Sequence, residues 1–252
     1  MDNNQLFMVR LDTTVQAYDQ YTAEDAAVWK TLFERQMTLL PQVASPAYLD
    51  GIAAIGFNAH EIPNFKTINA RLEALTGWGV VAATGIVDPV DFFPLLADRK
   101  FPVVTTLRTM AQLDFVAAPD LFHDALGHLP LLSNQVFCDF FECIGRLGVQ
   151  YLHHAEAVAK LGCLYWNAVE FGLIQPKGGA LKIYGAGILS SYGEIQSALS
   201  DQSVYLPFDA HQILNASYND SHIQDQYFII ESFEQLYQAM DTVEAILAEV
   251  AA

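Results

Sequence analysis

The sequence is short of positive charge. Its 252 residues include 12 Lys plus Arg against 29 Asp plus Glu, a formal net charge of -17. Phosphate backbones and anionic membrane surfaces repel such a chain, so neither a nucleic acid nor a membrane is expected as a partner. Cysteine is scarce too. Cys138, Cys143 and Cys163 form no CxxC pair and sit among apolar neighbours, so they read as reduced core thiols. The N-terminal stretch MDNNQLFMVRLDTT lacks a basic start followed by an apolar run, which argues against a secretory leader. No apolar run approaches the roughly 20 residues of a membrane span. The expected compartment is a reducing cytoplasm. Repeats, low-complexity tracts and linkers are also missing, so residues 1–252 are expected to form one domain, with 1–20 loosely ordered.

What the chain does have is apolar material. Hydrophobic residues make up 52%, aromatic residues 12% and charged residues only 16%, enough for a sizeable core and unlike a disordered segment. Helical spacing dominates. Thr22 with Asp25 reads as a capping box ahead of Val28, Trp29, Leu32, Phe33, Leu39 and Leu40, with Pro41 as the stop. Ser45-Pro46 opens a second helix that ends near Gly56. Asn64 caps a third, with the stripe Ile68, Leu72, Leu75 before Gly77. Trp78–Val81 and Val103–Leu107 read as short strands around a helical turn near Asp91–Leu96. Two further stripes follow, Phe137-Phe140-Phe141-Ile144 and Val158-Leu161-Tyr165-Val169. Tyr227–Ile230 reads as a strand. Ser232 with Gln235 then caps a last helix bearing Phe233, Leu236, Met240, Val243, Leu247 and Val250. The predicted class is mainly α with a small β content, α+β.

The segment PDLFHDALGHLPLL places His123 and His128 five residues apart beside Asp120 and Asp124. On a regular helix that spacing leaves the side chains about 140° apart, so both reach one ion only through a π-like turn or a helix break. Gly127 and Pro130 make a distortion there reasonable. By spacing alone, core or surface histidines are the commoner outcome. Glu170 lies in the apolar run YWNAVEFG, where a buried carboxylate wants a cation or donors, unless it faces water. Together the three residues make a candidate two-His-one-carboxylate set. That set suits non-haem iron(II) and oxygen chemistry, and equally a zinc hydrolase.

PDLFHDALGHLPLL, YWNAVEFGLI and IYGAGILSSYGE stand in the order and approximate spacing of the tetrahydropterin-dependent aromatic amino acid hydroxylases. The chain resembles this family, and within it most of all the compact bacterial phenylalanine 4-hydroxylases. The similarity runs back through TGWGVVAATGIV and YTAEDAAVWKTLFERQ and forward to the final helix. The resemblance implies the catalytic-domain fold of that family, an Fe(II) ion, a tetrahydropterin supplying two electrons, and oxygen as co-substrate.

It also implies roles at individual positions. His123, His128 and Glu170 become the iron ligands, and Asp124 a carboxylate near the pterin and the iron. Arg108 becomes the grip on the amino acid's carboxylate, where a guanidinium offers two parallel donors. Asp120 holds that arginine, although a generic ion pair would read the same. Ser190 falls near substrate and metal, and Trp166 and Phe171 in the aromatic wall of the amino acid pocket. Gly85, Ile86 and Val87 form the pterin loop, Phe92 stacks on the pterin ring, and Gly162 lies close by. Core packing is the competing account of these aromatics.

Two positions depart from the family pattern. Val116 replaces a threonine of the animal enzymes, and Asn167 replaces a common aromatic residue. The animal proteins' regulatory and tetramerisation segments find no counterpart here, so a monomer is expected. The implied substrate is L-phenylalanine, hydroxylated to L-tyrosine, with tryptophan hydroxylation and phenylalanine meta-hydroxylation as alternatives. From another class, a zinc hydrolase or a non-catalytic pterin- or amino-acid-binding protein remains open.

Overall fold

The computed structural model describes residue 10 and residues 15–114, 116–216 and 223–252. Of the expected loosely ordered segment 1–20, residues 1–9 and 11–14 lie outside the described residues. The part that follows is tied down: the Gln16 amide donates to the Pro63 carbonyl at 2.8 Å and the Tyr18 hydroxyl to that of Ile62 at 2.9 Å.

Helix α1, Ala23–Met37, starts at the anticipated capping box. Thr22 accepts from the Asp25 N–H, and the Asp25 carboxylate accepts from the Thr22 N–H. Its buried face is Val28, Trp29, Leu32, Phe33 and Gln36. The helix ends before Leu39 and Leu40, which corrects the longer stripe read from sequence. Pro41 is not a stop; it sits in the first turn of a short helix α2, Leu40–Val43, where its missing N–H costs nothing. Helix α3, Pro46–Ile55, is capped by Ser45 and closed by Gly56 at φ 71°, a left-handed value glycine adopts without a Cβ penalty. Helix α4, Phe65–Thr76, is capped by Asn64 and ends at Gly77. It buries Ile68 and Leu72 but leaves Leu75 48% exposed, so the third member of that stripe was misread.

Strand β1, Gly79–Ala83, leads to helix α5, Pro89–Ala97, and then strand β2, Lys100–Val104, which pairs parallel with β1. The second strand thus sits three residues earlier than the predicted Val103–Leu107. Residues 105–107 leave the sheet and carry the chain toward Arg108. Helix α6, Gln135–Gln150, buries the expected Phe137, Phe140, Phe141 and Ile144. It presses on α5 so closely that a Cβ on Gly145 would stand 2.3 Å from the Ala97 nitrogen. Only glycine lets the two backbones approach that far.

Helix α7, Ala155–Leu164, precedes a second sheet. Strands β3 (Leu173–Ile174) and β4 (Lys182–Ile183) pair antiparallel and are followed by helices α8 (Ala186–Leu189) and α9 (Tyr192–Ala198). Strand β5 (Val204–Pro207), helix α10 (Ala210–Leu214) and strand β6 (Gln226–Ile230) complete the sheet in the order β4-β3-β6-β5. Helix α11, Phe233–Val250, closes the fold. Ser232 occupies its cap position, but its side chain accepts no bond there. Instead Gln235 reaches back to the Glu231 N–H at 2.7 Å.

One continuous hydrophobic cluster joins these elements, including the completely buried Trp29, Phe122, Phe140 and Leu161. Each such Leu or Phe contributes about 1.5–3 kcal/mol of transfer free energy. The fold is the predicted α+β class dominated by helix.

Candidate metal centre and its surroundings

His123–His128 forms a π-helix, the distortion that the five-residue spacing demanded. Bonds from i to i+5 bring both imidazoles to one side, with ring centroids 5.3 Å apart. A second π-helix, Tyr165–Glu170, follows α7, and it was not foreseen: the sequence reading ran a regular stripe through Tyr165 and Val169. It delivers Glu170 to the same point. Glu170 Oε1 lies 3.2 Å from His128 Nε2, and Oε2 lies 3.7 Å from His123 Nε2. Ligand atoms of the three side chains all fall within 4.8 Å of one another.

The electrostatics suit a cation. Glu170 Oε2 is buried without a hydrogen-bond partner, a state that is costly unless a positive charge meets it. Burial alone would raise this carboxyl, but the His128 and His123 rings outweigh it and hold it at about 2. Burial pushes His123 toward the neutral form, the ligating state. Ser190 fixes its tautomer. The Ser190 hydroxyl donates its proton to the Ala186 carbonyl at 2.8 Å, so toward His123 Nδ1, 2.9 Å away, it accepts. Nδ1 therefore carries hydrogen, and Nε2 keeps the lone pair that faces Glu170. Gly127 allows this contact, because a Cβ there would meet the Ala186 carbonyl oxygen at 2.8 Å. The donor set fits a ferrous ion: two imidazoles and one carboxylate.

Asp124 is buried. Its Oδ2 accepts from the Val104 N–H at 2.7 Å, and burial pushes its carboxyl up to about 7. Arg108 and Asp120 make a buried, two-pronged pair. Arg108 Nε donates to Oδ2 at 2.8 Å and Nη2 to Oδ1 at 2.9 Å. Asp120 also accepts from the backbone N–H groups of Arg108 (2.9 Å) and His123 (3.1 Å). Burial would raise the Asp120 carboxyl, yet the guanidinium overrides it and the net shift is downward. This fork leaves the Nη1 edge of Arg108 with no side-chain bond among the described residues.

Trp166 and Phe171 pack against each other, ring centroids 4.7 Å apart, and the Trp166 indole donates to the Gln224 amide oxygen at 3.2 Å. Asn167 turns inward, its amide donating to the Cys163 carbonyl one turn back at 2.9 Å. Val116 is half-buried on the approach to Asp120.

Gly85, Ile86 and Val87 lie on the loop from β1 into α5, Val87 buried and the other two half-buried. Phe92, on α5, is half-buried and meets the Tyr165 ring edge-to-face at 5.5 Å, while Tyr165 stacks over His128 at 6.2 Å. Gly162 stands half-buried on α7, one turn before Tyr165. The exposed part of Phe92 thus offers a flat apolar face a short step from the imidazoles, which fits a planar heterocycle. No site role was read from the sequence for Tyr165, the Val104 backbone or the half-buried Glu194. Glu194 ends the segment IYGAGILSSYGE, three residues after Ser191, at the spacing of an ordinary helix cap.

Comparison with known proteins places these observations in a family. The profile of the biopterin-dependent aromatic amino acid hydroxylases matches residues 9–249. A phenylalanine-4-hydroxylase from Chromobacterium violaceum is 43% identical over 90% of this chain and 76% of its own length. One from Mesorhizobium japonicum is 40% identical over 95% of this chain and 87% of its own. The crystal structure of the Chromobacterium violaceum phenylalanine hydroxylase with iron(III) and 7,8-dihydrobiopterin superposes with a TM-score of 0.88 at 43% identity, covering 94% of this chain and 86% of that one. The chain belongs to the biopterin-dependent aromatic amino acid hydroxylases.

Proposed function

We propose that the protein is a phenylalanine 4-monooxygenase, converting L-phenylalanine to L-tyrosine with iron(II), a tetrahydropterin and oxygen. The observation that carries this reading is the convergence of the Glu170 carboxylate, its Oε2 buried and unpartnered, with the His123 and His128 imidazoles, in a chain 40–43% identical to phenylalanine-4-hydroxylases. His123, His128 and Glu170 hold the iron. Iron and pterin, when bound, supply oxygen activation and the two electrons it consumes.

The chain's own residues do the positioning. Arg108 takes the substrate carboxylate on its free Nη1 edge, and Asp120 keeps the guanidinium planar to it. Trp166 and Phe171 hold the aromatic ring and exclude water from it. Ser190 keeps His123 in the ligating tautomer. Asp124 places a buried carboxyl beside the metal and pterin. Phe92 stacks on the pterin, with the backbone of Gly85, Ile86 and Val87 at its edge and Gly162 nearby. Residues 1–252 act as one catalytic domain, a monomer in a reducing cytoplasm, in keeping with three free thiols. No helix among the described residues is long and apolar enough to cross a membrane.

The ring specificity follows from what the wall offers. Trp166, Phe171 and Val116 are apolar toward an unsubstituted ring and provide no partner for a tyrosine hydroxyl, which buried alone is penalised. Purified protein supplied with iron(II) and tetrahydropterin should convert phenylalanine to para-tyrosine. Chromatography against tyrosine, meta-tyrosine and 5-hydroxytryptophan standards checks this. A meta product, or a higher specificity constant for tryptophan, overturns it.

Phe92→Ala is expected to raise the pterin KM by about 2- to 10-fold, since the stacking face is worth about 0.5–1.5 kcal/mol. Iron content should not change. Identical pterin saturation in variant and wild type would move the cofactor elsewhere.

A further inference from the structure

Gln36 is a costly choice for the core face of α1. It is 1% exposed, and its Oε1 is buried with no hydrogen-bond partner. A leucine or methionine would fill the same space without stranding a polar atom. What the amide gains is one bond. Its Nε2 donates to the Leu189 carbonyl at 2.8 Å, across 153 residues of sequence.

That carbonyl stands at a weak point of the fold. Helix α8 spans four residues, too few to sustain itself, and its last carbonyls lack partners within the helix. Among the described residues no backbone N–H reaches the Leu189 oxygen, whereas the Gln36 amide does. The next residue is Ser190, whose hydroxyl donates to Ala186 and accepts from His123 Nδ1 at 2.9 Å. The Leu189 carbonyl and the Ser190 Cα belong to one planar peptide unit. Holding the oxygen therefore fixes the plane from which the Ser190 side chain leaves.

The same helix braces the other partner of the Ser190–His123 bond. Trp29 lies seven residues before Gln36, two turns away and within about 20° of the same face. Its ring meets Phe122 edge-to-face at 5.5 Å, and Phe122 directly precedes His123. The Trp29 indole is itself tied to the Asn58 carbonyl at 2.9 Å. Helix α1 thus touches the residue before His123 and the residue before Ser190. We propose that Gln36 is a positioning residue for the metal centre, holding the Ser190 hydroxyl against His123 through the Leu189 carbonyl. The inference deepens the iron hydroxylase reading above and rests on it.

The test replaces Gln36 by methionine, which keeps most of the volume but loses the donor, alone and together with Ser190→Ala. Full-length protein stripped of metal by a chelator is titrated with cobalt(II), followed by the visible absorption of the bound ion. Losing an outer hydrogen-bond partner of a ligand weakens metal binding by about 10–100-fold, the range expected for Ser190→Ala. Gln36→Met, one bond further out, should weaken cobalt(II) by about 3- to 10-fold and shift the spectrum toward that of Ser190→Ala. Its melting temperature should stay near wild type, because one stranded oxygen is exchanged for another. In the double variant the Gln36 effect should vanish, since the hydroxyl it aims is gone. A merely structural glutamine would add its loss in full to that of Ser190→Ala, and such additivity overturns the proposal. Gln36→Asn, an amide one methylene shorter, repeats the comparison if the methionine variant does not fold. Wild-type cobalt(II) affinity in the Gln36 variants refutes this inference and leaves the hydroxylase reading standing. If wild type itself binds no cobalt(II), that reading falls and takes this one with it.

Discussion

His128→Ala protein purified from iron-supplemented cells is expected to keep less than about a tenth of the wild-type iron and to lose hydroxylation. Removing a hydrogen-bond partner of a ligand already costs about 10–100-fold in metal affinity, and removing the ligand itself costs more. The geometry offers no substitute. Among the described residues, His123, His128 and Glu170 are the group whose ligand atoms converge, and Asp124 is engaged by the Val104 N–H. The substitution also opens space beneath the Phe101 ring, which lies 4.6 Å from the imidazole, so the fold must be checked separately. His128→Gln fills most of that volume and serves as the control, with far-UV circular dichroism as the readout. Full iron content with activity kept in His128→Ala would rule the ligand assignment out.

The two halves of this site differ in how well the sequence announced them. His123 and His128 were legible because a five-residue spacing fails on a regular helix, so the pair either binds nothing together or requires a π-turn. The structure contains that turn. The Tyr165–Glu170 turn left no such trace, since Glu170 had no partner within its own segment against which a register could be tested. Helix caps at Thr22, Ser45 and Asn64 were readable because they depend on residues a few positions apart. Strands β3 and β4 were not. Each is two residues long, and their pairing with each other and with β6 is decided by contacts distant in sequence. Leu75 shows the limit of periodicity: it has the right spacing, but α4 rolls so that Leu72 fills the core and Leu75 faces water.

Glu194 illustrates a different failure. Its local pattern, Ser-x-x-Glu, satisfies a sound capping rule, and half of that cap forms. What overrides the other half is tertiary: Gln224, thirty residues on, brings a backbone N–H that turns the carboxylate inward. Asn167 is the converse case. The sequence marked it as a changed pocket wall, whereas its amide is engaged one turn back along its own helix. Substitutions at Asn167 should therefore act first on the helix that carries Glu170, and only through it on the substrate.

Arg108→Lys is expected to raise the KM for phenylalanine by about 10- to 100-fold, leaving iron content and pterin dependence unchanged. A lysine keeps the charge but presents a point, whereas the native guanidinium meets Asp120 with two nitrogens and turns a third edge to the pocket. Losing one charge-assisted pair in a buried setting is worth about 1.5–3 kcal/mol, which sets that range. Asp120→Ala separates support from contact. It removes nothing the substrate touches, but it strands a guanidinium only 8% exposed, and breaking a buried pair costs about 3–5 kcal/mol. That variant should melt lower and also show a raised KM, while Arg108→Lys, still able to make one bond to Asp120, should melt closer to wild type. The acid limb provides a further check. The folded Asp120 carboxyl lies below its ordinary value, so the pair's stabilisation is complete above about pH 4 and is lost as pH falls through the depressed folded value. The difference in stability between wild type and Asp120→Ala should therefore shrink only in strong acid. If phenylalanine dependence is unaltered in both variants, the carboxylate is held elsewhere, and the buried fork is a structural pair that happens to lie beside the metal.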